Sequence, residues 1–421
     1  MPLIYDIGLG LYHAGIRIAT PFVPKAKAWV NGRKGTRQRL EAKREALRGC
    51  LWMHCASVGE FEQGRPVLEA LKAKHPAMPV LLTFYSPSGY EARKDFPLVT
   101  HVEYLPADGE MNAKRFLDLV QPKAVLWVKY EFWYHWLHAL KQHNAPVFLI
   151  SAIFRKEQAF FRWFGAAHRS MLKCFTQLFV QDDASRDLLA SIGVTNAVVS
   201  GDTRFDRVAE ITATNEELSI AAGFKGTVPV IVAGSTWPAD EALLLEAFAL
   251  RKHAPKCIVV PHELDAVHLK AIEARFPKPL AHWSELEGAA QANIASTLGH
   301  QTSATLLVDR MGLLARSYRY ADVAYVGGGF GDGIHSLLEA AAWGRPVIFG
   351  PKHHKFAEAQ GLIIAGGGFE VNDADELRDV LDRLLDDPNA LAAASRCASN
   401  YVCERTGATG VVVCAISPLL A

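Results

Sequence analysis

The strongest constraint on the fold is a regular alternation of short apolar runs with longer amphipathic segments. Apolar runs lie at 50–56, 79–84, 102–105, 124–129, 146–151 and 177–181. The segments between them are long enough for helices. This pattern predicts parallel strands joined by crossover helices, in an α/β sheet that is covered on both faces.

The alternation starts a second time near residue 228. "VPVIVAG" at 228–234 is followed by "CIVV", "TLLVD", "DVAYVGG" and "RPVIFGP". Because 421 residues are too many for one compact core, we predict two Rossmann-like domains that face each other across a cleft. The predicted segments are an apolar arm with a basic segment (1–48), an N-terminal domain (49–206), a linker (207–226), a C-terminal domain (227–394) and terminal helices that can pack back on the N-terminal domain (395–421).

The first 48 residues combine an apolar arm with a basic segment. Residues 1–24 carry only Asp6 and Arg17 as formal charges, and nine Lys/Arg face two acids between Lys25 and Arg48. No apolar run reaches the length of a membrane-spanning helix. The combination favours attachment to an anionic membrane surface; the alternative is a helix packed on the protein's own core.

Net charge and the spacing of cysteine and histidine residues argue against several classes of function. The formal net charge of +1 gives no field that would favour nucleic acid, so we predict no nucleic-acid partner. The seven cysteines form no CxxC pair, which is typical of a reducing compartment. The two histidines of "HELDAVH" at 262–268 are six residues apart and cannot share a metal on one helical face.

The strand-to-helix junctions carry the polar chemistry. In open parallel sheets, ligands bind beyond the carboxyl ends of the strands. The junctions in the first half are "ASVGE" at 56–60, "TFYSPSGYE" at 83–91 and "WVKYEFWYHW" at 127–136. Those in the second half are "AGSTWPADE" at 233–241, "VPHELD" at 260–265 and "VGGGFGDGIHSLLEA" at 326–340.

The glycine run at 327–333 fits neither the GxGxxG nor the P-loop spacing. We predict a strand-to-helix turn whose backbone N–H groups hold an anion, followed by a helix from Ile334 that carries His335 and Glu339 on one face. Glu339 is then either solvated or an acceptor for a ligand's hydroxyls. The predicted anion-binding glycines are Gly329, Gly331 and Gly333.

Two further polar groups have both a structural and a functional interpretation. Ser235 and Thr236 precede a helix that begins with Pro238, so they either cap it or also contact a phosphate. Arg204, in "GDTRFDRV", either closes on a phosphate or forms a salt bridge.

Taken together, "HCASVGE", "TFYSPSGYE", "YEFWYHW", "SAIFR", "GDTRFD", "AGSTW" and "VGGGFGDGIHSLLEAAAWGRPVIFGP" resemble the 3-deoxy-D-manno-octulosonic acid (Kdo) transferases of lipopolysaccharide synthesis. The resemblance runs over nearly the whole chain. It implies the GT-B glycosyltransferase fold and inverting transfer of Kdo from CMP-Kdo to a lipid A precursor of the lipid IVA type. It also implies a location at the cytoplasmic face of the bacterial inner membrane.

The resemblance implies that Glu60 is the catalytic base; the alternative is a helix first-turn acid. A positioned carboxylate can remove the proton of an acceptor hydroxyl, and the helix N-terminus predicts that Glu60 stays ionised. The substrate-binding residues that we predict with it are Ser57, Gly59, Ser88, Gly89, Glu131, Arg155 and Arg204. For Glu131 the alternative is a paired acid in an aromatic packing cluster.

The resemblance places CMP in the C-terminal domain. The residues implied as nucleotide-binding, together with the anion-loop glycines, are Ser235, Thr236, His262, His335, Ser336 and Glu339. Many family members have Asn at the position of Ser336, and "PHELD" departs from the family's usual Arg-His-Pro. A CMP-sugar carries one phosphate, so we predict no metal and no cofactor.

Two other classes of function stay open at this point. One is another GT-B nucleotide-sugar enzyme, such as a UDP-sugar transferase or epimerase. The other is a non-catalytic nucleotide-binding or membrane scaffold protein.

Overall fold

The computed structural model describes residues 2–214, 216–226, 228–287 and 304–420. The chain forms two compact units, the first made of Met1–Arg207 with Thr406–Ala421 and the second of Val208–Arg405. Within the described residues each unit contains one seven-stranded sheet, and every recorded strand pairing is parallel. The predicted α/β fold class, two Rossmann-like units of the GT-B type, is confirmed.

The sheet of the first unit has the order β3-β2-β1-β4-β5-β6-β7. Its strands are β1 (Leu51–Cys55), β2 (Val80–Phe84), β3 (His101–Tyr104), β4 (Ala124–Val128), β5 (Val147–Ala152), β6 (Gln177–Val180) and β7 (Ala197–Val199). Its helices are α1 (Pro2–Ala19), α2 (Pro24–Gly32), α3 (Thr36–Ala42), α4 (Arg44–Leu47), α5 (Val58–Lys74), α6 (Pro87–Arg93), α7 (Glu110–Val120), α8 (Tyr134–Gln142), α9 (Ala166–Leu172) and α10 (Asp183–Ser191), with a 3₁₀ turn at Ala159–Phe161.

The sheet of the second unit has the order β10-β11-β9-β8-β12-β13-β14. Its strands are β8 (Val230–Thr236), β9 (Lys256–Pro261), β10 (Leu280–His282), β11 (Thr305–Leu307), β12 (Val323–Val326), β13 (Val347–Phe349) and β14 (Gly368–Glu370). The remaining helices are α11 (Thr203–Ala213), α12 (Ser219–Lys225), α13 (Pro238–Leu250), α14 (Ala266–Arg275), α15 (Trp283–Leu286), α16 (Leu314–Ser317), α17 (Leu338–Ala342), α18 (Ala357–Ala365), α19 (Ala374–Asp386), α20 (Pro388–Cys403) and α21 (Ala408–Leu420), with a 3₁₀ turn at Tyr318–Tyr320.

Both faces of the first sheet are buried, as continuous apolar strands require. Successive β1 residues point to opposite faces: Trp52 belongs to one core cluster, and Met53 belongs to the other. The second cluster also contains α21, through Val412 and Ile416. The last helix of the chain therefore belongs to the core of the first unit, whereas α20 remains in the second.

The strand orders locate the ligand-binding edges. In each sheet the chain reverses its direction of strand addition beside the first strand, so that β1 lies between β2 and β4, and β8 lies between β9 and β12. Ligands of open α/β sheets bind outside the carboxyl ends of strands at such switch points. The expected ligand-binding edges are therefore formed by the loops after β1 and β4 in the first unit, and by those after β8 and β12 in the second.

Two arginines of the basic segment, Arg33 and Arg39, are used in packing. Arg39 forms a bidentate ion pair with the fully buried Glu103, with both N···O distances 2.7 Å. Arg33 donates to the carbonyls of Leu105 and Tyr85 and lies 3.9 Å above the Trp29 ring. For Arg33 and Arg39 the structure therefore supports the alternative of packing on the protein's own core, because their guanidinium groups have partners within the first unit.

Helix α1 packs on the first unit through one face only. Tyr5 donates a hydrogen bond of 2.6 Å to Asp108, and Asp6 lies 2.6 Å from the His135 ring nitrogen. Large apolar side chains on the rest of its surface and just after it are exposed: Leu3, Ile4, Ile7, Leu11, Ile18 and Phe22. Among the described residues no helix has the length and apolar character needed to cross a membrane.

Candidate active site

Glu60 sits where β1 passes into α5. Ser57 is the N-cap of α5, and its hydroxyl accepts a hydrogen bond of 3.4 Å from the Glu60 N–H. One oxygen of the Glu60 carboxyl accepts from the Ala56 N–H. This reciprocal capping resembles a capping box and explains why a Ser-x-x-Glu sequence folds this way. It fixes the carboxyl at the tip of β1.

The surroundings of Glu60 make it a weaker acid than an ordinary glutamate. Burial, followed by the charge of Glu131, raises the pKa of Glu60 to about 7, while the Ala56 and Ser57 N–H groups and Lys129 oppose that rise. The predicted effect of the helix N-terminus is present, since the Ala56 and Ser57 N–H groups lower the pKa of Glu60, but burial and the second carboxylate outweigh it. A carboxylate with this pKa is well matched to general-base work at neutral pH.

The second carboxylate is held by aromatic side chains. Glu131 follows β4 and accepts a hydrogen bond of 2.6 Å from the Trp133 indole, and its backbone carbonyl accepts from the Trp127 indole. The ring of His54, which is fully buried in β1, points its Nε2 toward Glu131 Oε2 at 4.0 Å. Glu131 is thus both the predicted site carboxylate and a member of the aromatic cluster, and the structure brings it close to Glu60.

Cations lie near these two acids. Arg155 follows β5 and is exposed, and Arg204 lies at the start of α11 with its guanidinium 2.7 Å from Asp202. Burial raises the pKa of the Tyr130 hydroxyl. The charges of Arg155 and Arg204 lower that pKa, and the charge of Glu60 raises it, so all three groups lie near Tyr130. The predicted cations and carboxylates are therefore assembled at one edge of the sheet. Positive charges beside a base can hold an anionic substrate there.

The junction after β2 adjoins this edge. The Ser86 N–H donates to the Ala56 carbonyl at 2.8 Å, which links the loop to the start of α5. Ser88 is exposed, whereas Gly89 is buried, and a Cβ there would lie 2.6 Å from the Phe84 ring. Packing alone therefore requires glycine at 89. Gly59 is exposed, and a Cβ there would meet only the Ser57 hydroxyl at 4.0 Å.

In the second unit, the loops after β8 and β12 are tied together by a buried carboxylate. Asp240 accepts hydrogen bonds from the Tyr325 hydroxyl and from the Gly328 and Trp237 N–H groups, all within 2.9 to 3.0 Å. Thr236 is fully buried and donates to Glu241 at 3.0 Å. The Thr236 hydroxyl therefore has a structural partner.

Ser235 has a backbone conformation that is rare for a residue with a side chain. Its φ is 52°, in the left-handed region, at the end of β8. Lys129 has a φ of 63° directly after β4 in the first unit. Such outliers are uncommon and cluster at functional sites.

Three rings form a stack beside this loop. The His262 ring lies 4.7 Å from that of Trp237 and 4.4 Å from that of His335, nearly parallel to both. The Trp237 indole donates to His335 Nε2 at 3.4 Å. Burial, with a contribution from His262, lowers the pKa of His335, so its ring is neutral at pH 7 and Nε2 can accept that bond. The stack brings two predicted nucleotide-binding residues together.

The glycine loop differs from the prediction. The N–H groups of Gly331 and Gly333 both donate to the Gly328 carbonyl, and that of His335 donates to Gly327. The expectation that Gly331 and Gly333 bind an anion through their N–H groups is wrong, because these groups have partners inside the loop. Gly333 is needed for its φ of 133°.

Gly329 is explained by close backbone packing, because a Cβ there would lie 2.6 Å from Gly350. The helix predicted from Ile334 begins only at Leu338, as α17. His335 precedes that helix and does not share a face of it with Glu339. Ser336 is exposed, and Glu339 is half-buried in the first turn of α17.

Four residues at these edges were not predicted: Lys129, Trp237, Asp240 and His54. Asp240 carries a sequence signal, since it stands three residues after Trp237 at a helix start. Trp237 lies inside a junction that the sequence singles out. Nothing in the sequence marks the left-handed conformation of Lys129, and the role of His54 depends on a loop 77 residues away.

The family model described as "3-Deoxy-D-manno-octulosonic-acid transferase (kdotransferase)" matches residues 33–207. The 3-deoxy-D-manno-octulosonic acid transferase of Aquifex aeolicus (strain VF5) is 30% identical over 354 residues, covering 81% of this chain and 88% of that protein. The corresponding transferase of Bordetella pertussis is 29% identical over 382 residues, covering 85% of both.

Among solved structures, the UDP-GlcNAc 2-epimerase of Neisseria meningitidis bound to UDP-GlcNAc is similar with a TM-score of 0.59. It is 16% identical, and the match covers 86% of this chain and 98% of that one. At this identity the likeness concerns the fold.

Proposed function

Because the chain belongs to the 3-deoxy-D-manno-octulosonic acid (Kdo) transferase family, we propose that it moves Kdo from CMP-Kdo to a lipid A precursor, with Glu60 as the general base. The observation that carries the assignment of Glu60 is its fixed position at the tip of β1, with a pKa of about 7. A base must be partly ionised at the working pH and still bind a proton well, and this pKa meets both needs.

The proposed chemistry is a single inverting displacement. Glu60 takes the proton of the acceptor hydroxyl while the oxygen forms a bond to the anomeric carbon of Kdo. The bond from that carbon to the phosphate oxygen breaks, and CMP leaves with the electron pair. Glu131 keeps the pKa of Glu60 high, and Arg155 and Arg204 supply positive charge for the carboxylate of Kdo or a phosphate of the acceptor.

We assign the donor nucleotide to the second unit. The ring stack of Trp237, His262 and His335 offers a flat surface and a ring nitrogen beside the left-handed turn at Ser235. Ser336 and Glu339 follow the same loop and are proposed to contact the CMP moiety. Gly329, Gly331 and Gly333 shape this loop, and Thr236 supports it through Glu241.

The acceptor is proposed to be a lipid of the lipid IVA type, met at the cytoplasmic face of the inner membrane. Support comes from α1, whose exposed face carries Leu3, Ile4, Ile7 and Leu11. A helix with one packed face and one exposed apolar face suits the boundary between lipid headgroups and acyl chains.

The test is a reconstituted reaction. The purified protein is incubated with CMP-Kdo and a tetra-acylated lipid A precursor, and products are identified by mass. We expect the acceptor mass to increase by whole Kdo units, with release of CMP. A protein that binds CMP-Kdo but leaves both compounds unchanged would contradict the proposal and favour a scaffold.

A binding experiment separates this function from a UDP-sugar enzyme. CMP and UDP are titrated into the protein by calorimetry at the same pH. We expect CMP to bind more tightly. Tighter binding of UDP would replace the proposal with a UDP-sugar transferase or epimerase.

A further inference from the structure

A turn between the 3₁₀ turn at Ala159–Phe161 and α9 presents two aromatic side chains to solvent. The Trp163 side chain is 91% exposed and that of Phe164 is 49% exposed. Their rings pack edge to face, with centroids 5.6 Å apart. We call this pair the aromatic tip. Two adjacent aromatic side chains exposed in this way leave apolar surface in water, which is unfavourable unless a partner covers it.

The turn that carries the aromatic tip is held in place. The Phe160 ring is buried, 4.7 Å from the Phe132 ring. The Arg169 guanidinium donates to the carbonyls of Phe160 and Arg162, at 3.1 and 3.0 Å. At Gly165 a Cβ would lie 2.0 Å from the Ala159 carbonyl oxygen, so the chain closes tightly there. The tip is therefore projected by a fixed turn.

The stretch of chain that carries the aromatic tip is basic. Between residues 155 and 173 the chain has five Lys/Arg and a single acid, Glu157. The cations are Arg155, Lys156, Arg162, Arg169 and Lys173. Exposed tryptophan and phenylalanine within a basic stretch of chain complement a surface that is negatively charged outside and apolar beneath. An anionic bilayer has this profile.

The aromatic tip belongs to the same part of the first unit as α1. The Tyr134 ring of α8 lies 5.7 Å from Tyr5 of α1 and stacks on His138 at 4.0 Å. His138 in turn lies 3.5 Å from the Ser170 hydroxyl of α9, which follows the tip directly. Helices α1, α8 and α9 are thus consecutive neighbours, with exposed apolar groups on the first and just before the last.

We propose that Trp163 and Phe164 insert into the headgroup region of an anionic bilayer as a second attachment point beside α1. Membrane binding strengthens with the apolar area that is buried and with attraction to anionic lipids, so a second apolar attachment point strengthens binding. Arg155, proposed above as a substrate contact, belongs to the same basic stretch of chain at 155–173. The second anchor would bring the acceptor-binding edge to the lipid surface. This inference deepens the proposed function and depends on it only for its activity measurement.

The test compares the full chain with the double variant Trp163→Ser/Phe164→Ser. Sedimentation is measured with vesicles of phosphatidylcholine containing about 30% phosphatidylglycerol, and with phosphatidylcholine alone. We expect the wild type to prefer the anionic vesicles and the double variant to bind them at least about tenfold more weakly, since each aromatic side chain contributes buried apolar area. The variant Trp163→Phe, which preserves the apolar surface, is expected to retain most of the binding.

The matched control is Met311→Ser/Ile364→Ser, which removes two side chains that are 79% and 78% exposed in the second unit. It should bind vesicles like the wild type. Equal vesicle binding by the wild type and the tip variant would overturn the proposal. So would a wild-type dimer in sedimentation velocity that the tip variant abolishes while vesicle binding is unchanged, because the tip would then join two copies.

Activity separates this inference from the proposed function. With the acceptor embedded in vesicles, the tip variant should lose transfer in proportion to its lost binding. With the acceptor dispersed in detergent, it should transfer at the wild-type rate. A wild type that transfers no Kdo in either form would contradict the proposed function, whereas the vesicle-binding result would still decide the role of the tip.

Discussion

The charge of Glu131 should control the pH at which the proposed base becomes active. Burial and Glu131 together raise the pKa of Glu60 to about 7. Glu131→Gln removes the charge, and the amide oxygen can still accept the hydrogen bond from Trp133 that holds the side chain. Burial of Glu60 remains. The variant therefore isolates the repulsion between the two carboxylates.

The size of the effect follows from the titration of Glu60. With a pKa of about 7, about one tenth of the Glu60 carboxyls are ionised at pH 6. Loss of a nearby like charge lowers a pKa by about one or more, so in the variant the value falls to about 6 and about half are ionised at pH 6. Relative to its own plateau, kcat/KM at pH 6 should rise about fivefold.

The assay is kcat/KM for Kdo transfer between pH 5 and 9, because this parameter reports the free enzyme. Each profile is normalised to its own plateau, since Glu131→Gln can also weaken substrate binding. Glu110→Gln is the control: Glu110 is likewise in the first turn of a helix but is exposed. The acceptor is the same throughout, so its own phosphate titrations cancel.

An acid limb that stays in place, or moves to higher pH, would refute the reasoning. The first result would mean that Glu131 does not influence the titrating group. The second would mean that Glu131 lowers the pKa of the titrating group, which is the opposite of the repulsion between the two carboxylates.

Three predictions concern stability. The pKa of Glu60 is raised from the ordinary 4.5, so Glu60→Gln should stabilise the protein above pH 7 by at most about 3 kcal/mol. The gain should vanish at about pH 3, where the carboxyl is protonated in both the folded and the unfolded state, and thermal melts at about pH 8 and pH 3 check this. Arg39→Met removes the bidentate partner of the buried Glu103, which keeps the longer contact with His101 at 3.5 Å, and should cost about 3 kcal/mol in urea unfolding. Gly234→Ala places a Cβ 2.1 Å from the Tyr318 hydroxyl and should cost about 1–3 kcal/mol, part of which Tyr318→Phe should recover.

The central strands were predictable because their apolar runs are uninterrupted. The runs predicted at 50–56, 79–84 and 124–129 correspond to β1, β2 and β4, which are buried along their whole length. The edge strands β7 and β10 were not predicted. Their residues are only half-buried, so they need no continuous apolar run and leave no signal in the sequence.

The candidate site was predictable in position but less so in chemistry. Its junctions follow from the parallel strands, and the switch points of the two sheets select among them. The pKa of Glu60 was not predictable, because it depends on burial and on Glu131, 71 residues away in sequence. The local sequence alone indicated that the helix N-terminus would be the largest influence on the pKa of Glu60.

The loop after β12 and the basic segment show the same limit. The glycine-rich sequence around Gly331 and Gly333 is typical of an anion-binding loop. In the folded loop, however, their N–H groups donate to the Gly328 carbonyl. In the sequence Arg39 stands among many other Lys/Arg, which is typical of a solvated face. In the structure it pairs with Glu103, which is buried in β3. In each case a long-range or loop-closing partner decides the role of the group.

The most direct measurement is the rate of Kdo transfer by Glu60→Ala, with Glu110→Ala as the matched control. Products are counted by mass at a pH above 7, and CMP affinity is measured in parallel by calorimetry. A general base contributes about 100-fold to 10,000-fold, so Glu60→Ala should lose at least about 100-fold in rate while binding CMP normally. Transfer by Glu60→Ala within a few fold of the control would contradict the role of Glu60 as the base.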